Sequence, residues 1–173
     1  MSIVVKKITL TAVLATLSTL TFMLESLFPP LIIPGAKLGL SNLFILLTAI
    51  TIGYKYSFAV LIVKCLIGSL FSGNFATIIY SLPAGLIALT IEILLLTLTK
   101  KISIVSISTL GAVINSSVQN LTFCIVTNTF EYLIYLPYLA LIAVIAGLLV
   151  GFTLHLLIKK LPEKVFGITQ INN

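Results

Sequence analysis

YLIYLPYLALIAVIAGLLVGFTLHLLI, residues 132–158, decides the fold, and Lys159 and Lys160 follow it directly. Between Tyr132 and Ile158 there is no Asp, Glu, Lys or Arg. A helix needs about 20 consecutive apolar residues to cross the roughly 30 Å hydrocarbon core of a bilayer. This run meets that length, and unpaired backbone groups are too costly in lipid for it to be an open strand. It predicts a transmembrane helix that ends in cationic anchors.

Working outward, five more apolar segments precede it, at roughly 8–28, 38–53, 56–72, 77–99 and 103–127. They predict an all-α, polytopic helical bundle of six transmembrane helices that forms a single membrane domain over 1–173. A β-barrel would need short alternating strands, and these runs are continuous. The composition agrees: mean hydropathy is +1.27, and only 8% of residues are charged where a soluble domain carries about 25%. Six spans leave almost no chain for an extramembrane catalytic module. Lys6 and Lys7 precede the first run as they would in a signal peptide. That run is long and lacks a convincing small-residue cleavage site, so it reads as a retained first helix.

The orientation comes from the lysines. The net charge of +6 rests on Lys alone, since the chain has no Arg. Lys6 and Lys7, Lys55, Lys100 and Lys101, and Lys159, Lys160 and Lys164 all fall on one side of a six-span arrangement. The positive-inside rule makes that side cytoplasmic, so the expectation is a plasma-membrane protein with both termini inside. Lysines dispersed at segment ends are not a nucleic-acid footprint. Cys65 and Cys124 fall within spans and read as apolar packing. No metal site, cofactor or catalytic group is expected, and no Walker A pattern is present.

The second segment is short for a span, and Pro29-Pro30-Leu31-Ile32-Ile33-Pro34-Gly35-Ala36-Lys37 precedes it. Pro and Gly prevent helix continuation there, so an apolar outer loop at 29–37 is expected to fold against the bundle. Lys37 is the one lysine on the outer side. It reads either as a snorkelling interfacial residue or as the cationic contact for an anionic ligand under the loop. Gly35 and Gly39 would let backbone approach that ligand, and Asn42 would add an amide. Glu25, at the end of the first helix, is placed to pair with Lys37.

Deeper in the bundle, Lys64 and Glu92 fall at matching depths on adjacent spans. A structural ion pair is the expected solution, since isolated charges at such depth are costly; a proton or ion relay is the other reading. On the fifth span Asn115 and Gln119 share one helical face and either glue helices together or line a ligand pocket. Tyr132, Tyr135 and Tyr138 read as an aromatic belt. Ala143, Gly147 and Gly151 form a small-xxx-small stripe, and Ala12 and Thr16 a weaker one. Such stripes permit close helix contact, either within the bundle or as docking faces for another membrane subunit.

The run Pro34-Gly35-Ala36-Lys37-Leu38-Gly39-Leu40-Ser41-Asn42, after an apolar helix that ends near Glu25, resembles a bacterial membrane family. It is called the Gx transporter family, or heptaprenyl diphosphate synthase component I. The resemblance continues through Gly68-Ser69-Leu70-Phe71-Ser72-Gly73, Tyr80-Ser81, Gly111-Ala112-Val113 with Gln119, and Tyr135-Leu136-Pro137 followed by Gly147 and Gly151. The chain departs from the family at Asn115, Ser116 and Val118, where a His-Asn pair and a Gly are usual, and at Lys64, where Arg is usual. The family is similar to the S-components of energy-coupling factor transporters. That resemblance implies capture of a small molecule from outside, such as a vitamin or an isoprenoid or quinone precursor. It also implies delivery by toppling against a transmembrane coupling subunit powered by two ATPases.

Three functions follow as expectations. The first is such a substrate-binding subunit. The second is a non-catalytic membrane subunit associated with polyprenyl diphosphate synthesis, and the third is a stand-alone secondary transporter using Lys64 and Glu92. Enzymatic prenyl transfer is not expected, because it needs carboxylate clusters holding Mg²⁺. This chain has no Asp, and its four Glu are scattered.

Overall fold

The computed structural model describes residues 3–27, 39–71, 73, 75–99 and 102–160. The chain is an all-α membrane bundle, with six α-helices among the described residues: α1 (Ile3–Leu27), α2 (Asn42–Thr51), α3 (Tyr54–Phe71), α4 (Ala76–Leu98), α5 (Ile104–Thr127) and α6 (Leu136–Lys160). A short 3₁₀ segment, Phe130–Tyr135, leads into α6. Five helical stretches are long and apolar enough to cross a bilayer, which makes this a multi-pass membrane protein.

The expected span at 38–53 is corrected to a ten-residue helix, α2. At 1.5 Å per residue it reaches about 15 Å, half of the roughly 30 Å core. Glycines set both ends. Gly39 has φ +70° and Gly53 has φ +136°, conformations that side chains rarely adopt. The N–H of Asn42 donates to the Gly39 carbonyl at 2.9 Å, closing the turn from which α2 starts. Two other bounds also shift. α1 begins at Ile3 rather than near residue 8, taking Lys6 and Lys7 into its first turns. α6 begins at Leu136 rather than 132. Pro137 then sits in its first turn, where the missing N–H costs nothing.

The bundle is arranged around α2. It packs on α1, α3, α4 and α6, while α1 packs on α3, α3 on α4, α4 on α5 and α5 on α6. Eight of its ten residues are buried, which is why it is apolar all round. Leu46, Leu47 and Ile50 join Leu14 of α1 and Leu154 of α6 in one core cluster. Ile45 joins Ala15, Val60, Leu61, Cys65 and Leu89 in a second. Both cysteines are fully buried and unbonded to each other.

Close approach of α5 and α6 depends on the glycine stripe. A methyl group at Gly147 would lie 2.6 Å from the Thr109 Cα, and one at Gly151 would lie 2.7 Å from the Val105 Cα. The Ser108 hydroxyl donates to the Gly147 carbonyl at 3.1 Å. Of the two readings of this stripe, packing within the bundle or docking of a partner, the geometry forms an internal joint. Ala143, Gly147 and Gly151 are all buried within the chain, because only glycine lets the two backbones meet. Ala12 and Thr16, by contrast, are exposed on α1.

Candidate functional site

The half-length of α2 leaves room above its N-terminus, and polar groups from four other helices converge there. A cavity of about 40 Å³ is lined by Glu25 of α1, Lys64 of α3, Ser81 of α4, and Asn115, Ser116 and Gln119 of α5, with Gly39, Ser41 and Asn42 at the start of α2. Glu25, near the end of α1, and Gly39, ahead of α2, both line it.

Lys64 is the buried cation of this cavity, only 5% exposed. Its ammonium donates to Asn42 Oδ1 at 2.9 Å and to Ser41 Oγ at 3.5 Å. It also lies 5.6 Å from the centre of the Phe22 ring, within cation–π reach. Phe22 is held in place by Gly68, where a methyl group would come within 2.4 Å of the ring. Glu25 closes the opposite edge. Its carboxylate accepts the Leu40 N–H at 2.5 Å and the Ser41 hydroxyl at 3.5 Å, so an anion caps the positive end of α2. The Ser18 hydroxyl fastens the same turn by donating to the Ser41 carbonyl at 2.9 Å.

Glu92 lies beneath this network. Its carboxyl rests directly on α5, where a methyl group at Gly111 would fall 1.8 Å from Oε1. Two spaces of about 10 Å³ each border it. One is shared with Asn42 and Asn115, and the other with Gly39, Asn42 and Ser108. Each suffices for about one water molecule. The expected ion pair between Lys64 and Glu92 is corrected here. Among the described residues no direct ion pair joins them, because Asn42 and Ser41 take the Lys64 ammonium. Asn42 borders the main cavity with Lys64 and both smaller spaces with Glu92.

Of the residues read as ligand-binding, the structure brings Gly39, Asn42, Asn115 and Gln119 around one cavity. Lys37, Gly35 and the loop at 29–37 lie outside the described residues. Sequence reasoning missed that Lys64 and Ser41 belong to the same cavity. The signal was available only in part: the Ser41-Asn42 pair at a helix start marked a polar end but not its partner. Asn120, which follows Gln119, turns elsewhere and donates to the Tyr132 carbonyl at 3.3 Å. Tyr132 belongs to an edge-to-face stack that runs from Tyr80 through Phe123 to Tyr132, with ring centroids 5.4 Å apart at each step. Tyr138 and Tyr135 are exposed.

At about 40 Å³ the cavity has room for a few water molecules. A small-molecule site is usually about 300–1,000 Å³, so an organic ligand requires the rim to open. The groups on offer are an ammonium, a carboxylate, amides and hydroxyls, which can bind and orient a ligand. No curated protein and no solved structure matches the chain. The profile of one family does match, over residues 14–157. The match takes in every helix that lines the cavity, and on that ground the chain belongs to the heptaprenyl diphosphate synthase component I family.

Proposed function

We propose that this protein is a substrate-capture subunit, similar in role to the S-component of an energy-coupling factor transporter, that binds a small organic molecule in the cavity at the N-terminus of α2. The observation that carries this reading is the convergence of Lys64, Asn42, Asn115 and Gln119 on one space. In this reading an anionic group of the ligand takes the Lys64 ammonium and the amides fix its orientation. Lys37 and Gly35 approach from the connection 28–38. Ordering of that connection then couples occupancy to partner subunits, since a ligand shifts an equilibrium only by binding its two states differently. The chain supplies no nucleotide-binding motif of its own, so transport requires a membrane coupling subunit and ATPases from elsewhere. The protein acts in the plasma membrane with both termini in the cytoplasm, and it binds rather than transforms its ligand.

The family description favours a second reading, a membrane subunit that serves polyprenyl diphosphate synthesis. Native mass spectrometry of gently extracted protein separates the two. Substrate capture predicts a small-molecule adduct that is lost in Lys64→Ala, with ATPase and coupling subunits in the same preparation. Copurification of a soluble prenyl synthase, with no adduct, would replace the first reading by the second.

A further inference from the structure

Away from the polar cavity, α1 and α3 diverge to leave an apolar groove of about 720 Å³, walled by Ala12 and Thr16 on one side and Ala59 and Val63 on the other. We infer that this groove binds a hydrocarbon chain of an anionic phospholipid, with the lipid phosphate held by Lys7 and Lys55 at its mouth.

Charge places the head group. Lys7 immediately precedes Ile8, and Lys55 immediately precedes Tyr56; Ile8 and Tyr56 are the first lining residues of the two walls. Both lysines are exposed. Side chains on a helix tilt toward its N-terminus, so both reach past the end of the groove toward the head-group region. Basic positions flanking a gap between transmembrane helices suit an anionic head group.

The walls fix the chemistry of the tail. Three threonines face the groove, and each spends its hydroxyl on its own helix. Thr11 donates to the Lys7 carbonyl, Thr16 to Ala12 and Thr19 to Ala15, at 2.7, 2.9 and 2.8 Å. With those hydroxyls engaged within α1, the groove walls are predominantly apolar.

Length and charge favour a lipid chain over a partner helix. From Ile8 to Met23 the groove runs about 22 Å at the helical rise, long enough to take most of an extended acyl chain along its length. The lysines at its mouth match a phosphate head group and the apolar walls match its chain.

The test is native mass spectrometry on delipidated full-length protein with palmitoyl-oleoyl phosphatidylglycerol, the matching phosphatidylcholine, and geranylgeranyl diphosphate as probes. The expected result is at least tenfold preferential retention of the phosphatidylglycerol. Lys7→Ala with Lys55→Ala should abolish the preference. Ala12→Leu with Ala59→Leu should fill the groove and remove binding with both lysines intact. All four positions are exposed, and thermal unfolding of each variant checks the fold. Equal retention of both phospholipids, or retention unaffected by filling the groove, would overturn the inference. So would displacement by the prenyl diphosphate, or cross-linking of Ala12→Cys to a membrane protein instead of lipid.

Discussion

Lys64 on α3 donates to Asn42 Oδ1 at 2.9 Å, so the first residue of the central helix holds the buried cation of the bundle. This contact joins the short α2 to the long α3 at the depth where the polar cavity opens. It makes Asn42, rather than Glu92, the residue whose loss leaves Lys64 exposed to a poorly solvating interior.

The Lys64–Asn42 contact should therefore show coupling in a double-mutant cycle. Asn42→Leu and Lys64→Leu, alone and together, are expected to reveal about 1.5–3 kcal/mol of interaction, the range for hydrogen bonds to charged groups. Denaturant unfolding in a mild detergent measures it. The Lys64→Leu and Glu92→Leu cycle should give a smaller value. A larger value there would restore the direct pair.

The glycine joint between α5 and α6 makes a second prediction. Gly147→Ala and Gly151→Ala place a methyl group against backbone atoms at 2.6 and 2.7 Å. Each should cost about 1–3 kcal/mol through overpacking. Ala12→Leu, on an exposed face, should stay within about 0.5 kcal/mol of the parent. Thermal unfolding of the three variants compares them directly, and the opposite order would mean that the first stripe is the structural one.

Glu25 closes the turn ahead of α2 by accepting the Leu40 N–H and the Ser41 hydroxyl. Removing it by Glu25→Ala should destabilise the chain by about 1.5–3 kcal/mol, as expected for a charge-assisted bond to backbone. The local signature is faster amide hydrogen exchange at residues 40–43 with α5 and α6 unchanged. Equal protection of residues 40–43 in the parent and in Glu25→Ala would show that the cap is dispensable.

The topology can be read with cysteines. Cys65 and Cys124 are each 0% exposed, so the native background should be low. Ser103→Cys and Lys160→Cys, both at exposed positions, should react with a membrane-impermeant maleimide only from the cytoplasm. Phe75→Cys and Glu131→Cys should react only from outside. Reaction of Ser103→Cys from the external face of intact cells would invert or break the proposed orientation.

The membrane class, the helical bundle and most helix bounds were legible in the sequence. These depend on the length of apolar runs and on where glycine, proline and lysine interrupt them, which are local properties. Gly39 and Gly53 even flank the short α2. The convergence of Asn42, Asn115 and Gln119 was partly legible as well, from the four-residue spacing on α5 and the polar start of α2.

The partner of each interior side chain was not legible. Depth along a helix follows from counting residues, but the direction a side chain faces depends on how that helix is rotated and tilted by its neighbours. Lys64 and Glu92 matched in depth, yet Lys64 donates to Asn42 at the start of α2, a helix that packs on both α3 and α4. The same rotation buried Gly147 and Gly151 against α5 while leaving Ala12 and Thr16 in an open groove. One small-residue pattern thus became a joint and the other a surface, a choice made by side-chain packing across the whole bundle and not by either stripe alone.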